Sequence, residues 1–378
     1  MGAKDIKILG VIDEEPFDFR TWSGSSHYFF SALKRNNYLY KAISAQPSNI
    51  TNYIYKLLSF HSDIDKWKFK YHINIGYYKQ MTKVALSKIE ELNDQDYNVV
   101  LQVGAWYDLT KRKDKITVSY HDGNLFTLLK SPYSYPKIQE KYIKRAINYE
   151  RSLYEKNDYI FPMSKWLADS FISDFGIKSN KIMPIGAGIN LPYVKEIKNK
   201  TYDEPNILFI GRDFERKGGK VLLEAFKIVR KEIKNATLTI IGSNLNDALE
   251  GVKCVGYISK NTKEGIDRLV NEYSYASIFV MPSLYEPFGI VFAEAMAHKL
   301  PCIGTNICAM PEIIDNGING YVVPPKDTKL LAKRIIGLLK EPKMCQEMGG
   351  NAYLKYINNY TWNIVVEKII EAINEKYF

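Results

Sequence analysis

The 378-residue sequence has no apolar run approaching the ~18 residues needed to span a bilayer. Its opening, MGAKDIKILGVIDEEP, lacks the apolar core of a secretory signal. A soluble, cytoplasmic protein is the expectation. The four cysteines, Cys254, Cys302, Cys308 and Cys345, show neither CxxC spacing nor a histidine cluster nearby, so buried free thiols are expected and no metal site. There is no G-x-G-x-x-G and no G-x-x-x-x-G-K-[ST], which excludes the dinucleotide fingerprint and an ATP-handling P-loop. No recognition helix, zinc knuckle or RNP-type aromatic motif is present, and no nucleic-acid partner is expected.

What is there describes an ordinary folded protein, with 46 % hydrophobic and 25 % charged residues. The length favours two or three domains. The net charge of +10 is uneven. Residues 1–200 hold 30 Lys and Arg against 21 Asp and Glu, and the remainder 22 against 21. A basic half beside a neutral one suggests that the first half meets something anionic: a membrane surface, a lipid phosphate or an acidic polymer.

Strands and helices alternate along the chain. IKILGVI (6–12) reads as a buried parallel strand, followed by the small-residue loop Ser23-Gly24-Ser25 and an amphipathic helix. Residues 50–92 read as helical and rich in aromatics. KITVSYHDG (115–123) ends a strand in His121 and Asp122, and polar residues at the carboxyl end of a parallel strand are candidates for the ligand crevice. Ser164 reads as a helix N-cap. The polar run 191–205, bracketed by prolines, reads as a linker, and alternation resumes from NILFIG (206–211). The expected architecture is α/β, with two doubly wound Rossmann-like domains: 1–190, and 206–357 after the linker.

Two stretches carry chemistry. In MPSLYEPFGIVFAEAMAHK (281–299), Pro287 is placed in the first turn of a helix, Gly289 allows close approach to the backbone, and Ile290–Ala297 is apolar except for Glu294. Glu286 and Glu294 would then lie roughly 10 Å apart along the axis. The helix mouth between them suits phosphate, and each carboxylate suits neighbouring hydroxyls of a sugar or ribose. In Gly211-Arg212-Asp213-Phe214-Glu215-Arg216-Lys217-Gly218, a loop after a strand, Arg212 offers a planar fork and Lys217 a point charge for a diphosphate.

GRDFERKG, VGYIS, EPFGIVFAE and NGINGYVVPP occur in the order found in retaining glycosyltransferases of the GT-B-fold family 4, which this sequence resembles over 206–325. WSGSSHYFFSAL, SYHDGN and SKWLADSF resemble the first half of that family more loosely, and YTWNIVVEKI resembles its C-terminal helix, expected over about 358–378 against the first domain. The resemblance implies a GT-B fold and transfer of a sugar from a UDP- or GDP-sugar to a glycan or lipid-linked acceptor, without cofactor or metal. It implies that Arg212 and Lys217 hold the diphosphate, and that Glu286 binds the transferred sugar. The backbone at Phe288, Gly289 and Ile290 would meet sugar and phosphate, and Glu294 the ribose. The base would lie near Gly256 and Tyr257, with Gly211 and Gly24 letting loops approach the diphosphate. His121 would touch the sugar near the reacting carbon, with Asp122 and Ser164 on the acceptor side. Two departures stand out: one glycine in the first loop where many members have two, and ICAMPEII (307–314) where a glycine pair often precedes Pro-Glu. An epimerase or phosphorylase on the same architecture, or a non-catalytic sugar- or lipid-binding protein, stays open. Peripheral contact with an anionic membrane is a further expectation.

Overall fold

The computed structural model describes residues 6–110, 114–131, 133, 138–195, 200–244 and 249–377. The chain divides into two compact units, Met1–Gly186 with Val365–Phe378, and Ala187–Ile364.

The first unit is built on β1 (Ile8–Ile12), β2 (Leu39–Ser44), β3 (Val99–Val103), β4 (Ile116–His121) and β5 (Tyr159–Pro162), ordered β2-β1-β3-β4-β5. All the pairings are parallel. Every residue of β1 and β3 is buried, the mark of strands covered on both faces. Leu9, Val11 and Val100 pack with Tyr78, Met81 and Ala85 of the helix Ile75–Glu90. Ile160 packs with Leu167 and Phe171 of the helix Lys165–Ser173. The chain leaves β1 for β2, then returns to place β3 on the other side, so its direction reverses between β1 and β3. At the chain's end, the helix Trp362–Tyr377 contributes its residues from Val365 to this unit. Lys376 donates to the Asp158 carbonyl (3.1 Å) and sits 4.4 Å from the ring centre of Tyr159.

The second unit has β6 (Asn206–Ile210), β7 (Thr237–Ile241), β8 (Val252–Gly256), β9 (Ile278–Val280), β10 (Cys302–Thr305) and β11 (Gly320–Val323). They are parallel and ordered β11-β10-β9-β6-β7-β8. Read within the unit, this is the 3-2-1-4-5-6 order of the dinucleotide-binding fold, with its reversal between β6 and β9. Such sheets take ligands outside the carboxyl ends of the strands at that reversal, so the topology alone selects the loops after β6 and β9.

Residues 187–190, which the sequence reading puts in the first domain, cluster with the second. Their anchor is Trp362, whose indole donates to the Ile189 carbonyl (2.9 Å). Within the expected linker, 196–199 lie outside the described residues, while Tyr202 is buried and donates to the Lys299 carbonyl (2.6 Å), so part of that run belongs to the second unit's packing. All four cysteines are free thiols as expected, but only Cys302 and Cys345 are buried; Cys308 is half-buried and Cys254, on β8 at the edge of its sheet, is exposed. Among the described residues, no helix is long and apolar enough to cross a membrane.

Candidate active site

The loop after β6 and the loop after β9 are zipped together by their backbones. Leu284 N donates to the Arg216 carbonyl (2.8 Å), and Arg216 Nη1 returns a bond to the Tyr285 carbonyl (2.7 Å). Gly218 permits this approach: its φ is +75°, and a Cβ there would stand 1.9 Å from the Pro282 oxygen. No side chain fits at that point without moving a backbone.

The zipper delivers the charges. Lys217 Nζ lies 2.7 Å from Glu286 Oε2, and Arg216 Nη1 reaches the same oxygen at 3.4 Å. The Lys217 and Glu286 side chains are only 14 % and 13 % exposed, so solvent screens this pair less than a surface one. Arg212 is exposed and lies over the ring of Tyr257, 4.9 Å from its centre. Tyr257 follows Gly256, the last residue of β8. The structure thus brings Arg212, Lys217, Glu286 and Tyr257 to one end of one sheet. It adds Arg216, which sequence reasoning passed over although it sits in the same motif.

The helix after Glu286 runs Ile290–Ala297, as the apolar spacing predicts, but Pro287 precedes it. Gly289 is the N-cap, left-handed at φ 81°, and no side chain caps the helix. Glu286 therefore stands on the loop and not in the first turn, and the separation along a common axis does not apply. Phe288 is buried and meets Tyr360 edge to face at 6.1 Å, which leaves only its backbone for a ligand. Glu294, 1 % exposed, is the fifth residue of the helix. Its Oε1 accepts from Lys260 Nζ (2.6 Å) and Asn190 N (3.2 Å), and its Oε2 from the Tyr273 hydroxyl (2.8 Å). Lys260 and Tyr273 have no sequence signal, because nothing in their spacing ties them to Glu294. Cys308, in the ICAMPEII stretch, takes φ 46°, and its thiol, pushed up to about 11 mainly by burial, feels Glu286 and Arg216.

In the first unit, three consecutive residues, Trp22, Ser23 and Gly24, are left-handed at φ 48°, 56° and 90° before the helix Ser25–Arg35. Each non-glycine residue in that region costs about 1–3 kcal/mol unless its surroundings hold it. The Trp22 indole is held: it donates to Asp122 Oδ2 (2.8 Å) and meets Tyr120 edge to face. Burial, then the charge of Glu14, raises the neighbouring Asp13 carboxyl to about 6, with a smaller push from Asp122. Asp122, for which the resemblance implied the acceptor side, thus also holds the loop.

Two further candidates lie inside the first unit. His121 is 2 % exposed and packs edge to face on Tyr154 and Phe171. It is the last residue of β4, whose two faces are covered, so its ring enters the core, and burial lowers its pKa to about 3. Ser164 is the N-cap of the helix Lys165–Ser173, as the sequence leads one to expect, accepting from Leu167 N at 3.1 Å, and is buried. A cavity of about 1130 Å³ opens beside the helix Lys263–Tyr275, lined by Asn206, Thr237 and Val252, which begin β6, β7 and β8. It lies at the opposite end of the strands from the charged loops and holds none of the candidate residues; the topology and the charges favour the loops.

Residues 194–355 match the family model of glycosyl transferases group 1. That match lies within the second unit. Over 231 residues the chain is 26 % identical to a capsular polysaccharide biosynthesis glycosyltransferase of Staphylococcus aureus, spanning 57 % of this chain and 61 % of that one. Sucrose-phosphate synthase from Thermosynechococcus elongatus superposes with a TM-score of 0.70 at 16 % identity, covering 98 % of each chain. HepE of Anabaena, solved in complex with UDP-glucose, superposes at 0.64 and 14 % identity, covering 97 % of this chain and 99 % of that one. These likenesses establish the GT-B fold, and the family match and the relatives support a transferase enzyme.

Proposed function

We propose that this chain moves a sugar from a nucleoside-diphosphate sugar to a hydroxyl of a glycan or lipid-linked acceptor, with retention of configuration and without a metal. The observation that carries the reading is the convergence of Lys217, Arg216, Arg212 and Glu286 at the β6/β9 reversal of the unit that matches the group 1 model.

A diphosphate has the charge and oxygen geometry to take over Lys217 and Arg216 from the Glu286 carboxylate. Glu286, released, accepts hydrogen bonds from the sugar's hydroxyls. As the bond between C1 and the phosphate oxygen breaks, charge grows on the departing diphosphate. Lys217 and the arginines stabilise it where it develops, which is the largest catalytic contribution expected here. The acceptor oxygen forms its bond to C1 on the face the phosphate leaves, and its proton passes to the leaving phosphate oxygen. No side-chain nucleophile enters, which accords with His121 lying in the core. The three cations supply the charge that a divalent metal supplies elsewhere. Glu294, steadied by Tyr273 and Asn190, has an acceptor position left for a ribose hydroxyl once Lys260 swings aside.

The test is a panel of nucleotide-sugars incubated with glycan and lipid-linked acceptors, with and without a chelator, reading released nucleotide and the anomeric configuration of the product by NMR. Transfer with retention and indifference to chelator is expected. An inverted product overturns the stereochemistry, chelator sensitivity the metal independence, and free epimer or sugar phosphate the transfer itself.

A further inference from the structure

The helix Asn49–Leu58 wears its amphipathic pattern inside out. Ile50, Tyr53, Ile54, Leu57 and Leu58 stand at i, i+3, i+4, i+7 and i+8, the spacing that ordinarily faces a core. Here that stripe is the exposed one, with Ile50 75 %, Tyr53 63 % and Leu58 70 % open to solvent. The polar and aromatic face looks inward. The Tyr77 hydroxyl donates to Asn52 Oδ1 (2.8 Å), and the Tyr55 and Tyr77 rings lie 5.8 Å apart. Beyond the helix the patch continues through exposed Phe60 and Ile64. A patch of this extent on a monomer marks an interaction surface.

Its surroundings are basic. Residues 41–88 hold eight lysines against two aspartates, Asp63 and Asp65. Lys66 and Lys68 meet those aspartates only at 3.8 and 3.9 Å in exposed positions, too weakly to cancel them. Lys70 Nζ donates to the Phe60 carbonyl (3.1 Å), and Lys56 lies on the helix itself, so cations rim the apolar stripe.

We propose that the helix Asn49–Leu58, with the turn through Ile64, is a docking surface for an anionic bilayer, lying in the interface plane with the apolar stripe among the acyl chains and Lys56, Lys66, Lys68 and Lys70 at the headgroups. Charge decides between occupants. A second copy docked through this patch would press two lysine rims together, whereas an anionic leaflet complements them. The stripe is a convex ridge of side chains on one helix, the form that inserts into an interface. Tyr53 and Phe60 suit the headgroup level.

The proposal stands apart from the transfer reading, because it is tested with no donor or acceptor present. The full-length protein is sedimented with vesicles of phosphatidylcholine alone and with about 30 % phosphatidylglycerol. Binding to the anionic vesicles at least about tenfold tighter than to the neutral ones, weakening as salt rises, is expected. Leu57→Glu with Leu58→Glu should cut that binding about tenfold or more while leaving the melting temperature unchanged, since both side chains are exposed. Lys66→Gln with Lys68→Gln should reduce the preference for anionic lipid severalfold. No vesicle binding by the unaltered protein, or equal binding by the glutamate variant, overturns the proposal. A dimer that the glutamate variant dissolves, with no vesicle binding, overturns it in favour of a second copy.

Discussion

The carboxyl ends of the two sheets make different use of similar positions. In the second unit the charged residues lie well past their strands: Lys217 is seven residues beyond Ile210, and Glu286 six beyond Val280. That length lets two loops fold onto each other and present ion-paired side chains at the β6/β9 reversal. In the first unit His121 belongs to the strand itself, and a strand covered on both faces sends every side chain inward. Asp122, one residue on, already escapes the core. Proximity to a strand end therefore selects a loop, but distance past the end decides whether a side chain reaches the mouth.

Substitutions on both sides break or sharpen that contrast. The largest effect belongs to Lys217→Ala, expected to lower kcat at least about a hundredfold with the fold retained, because Arg216 still neutralises Glu286. His121→Gln, changed in the same assay, should alter kcat only through stability; a loss of similar size at an unchanged melting temperature would restore His121 to the site. Next, Gly218→Ala should cost about 3 kcal/mol or more in urea unfolding, from overlap with the Pro282 oxygen and the left-handed φ. An unchanged midpoint would mean that the two loops are not locked together.

Glu294→Gln should weaken nucleoside-diphosphate binding about tenfold by calorimetry, since the neutral amide is a poorer acceptor for a ribose hydroxyl. Equal affinity would confine Glu294 to holding Tyr273 and Lys260.

The last effect concerns pH. Glu150 is buried, accepting from Leu125 N (3.2 Å) and the Tyr154 hydroxyl (3.1 Å), and burial raises its pKa from 4.5 to about 7. The fold favours its neutral form. Its contribution to stability is therefore full below pH 4.5 and lost as pH rises to 7, by up to about 3 kcal/mol. Glu150→Gln should remove that fall, so that over the window the variant's stability changes with pH in a more upward direction than that of the unaltered protein, on the background of Asp13 and the buried histidines His72, His121 and His298. A curve of unchanged slope would show Glu150 ionised in the fold.

Alternation of apolar strands with amphipathic helices made the two doubly wound domains legible, and a sheet order follows from topology once the strands are known. The helix Ile290–Ala297 was legible to the residue, because its burial leaves an unbroken apolar run around one glutamate. Pro287 misled, since proline suits a loop before a helix as well as its first turn. The motifs single out Arg212, Lys217 and Glu286 as candidates, but not Arg216, Lys260 and Tyr273, because the pairings that involve them are made by folding and not by spacing. The outward stripe of Asn49–Leu58 was beyond the pattern too: periodicity shows that a helix is amphipathic, not which way it faces.

The most direct test is titration of UDP, GDP and ADP into the unaltered protein and into Lys217→Ala by calorimetry. One diphosphate binding selectively, with at least about tenfold weaker binding to the variant, is the predicted result. Binding that ignores Lys217, or no binding of any diphosphate, would contradict the placement of the donor at the β6/β9 loops.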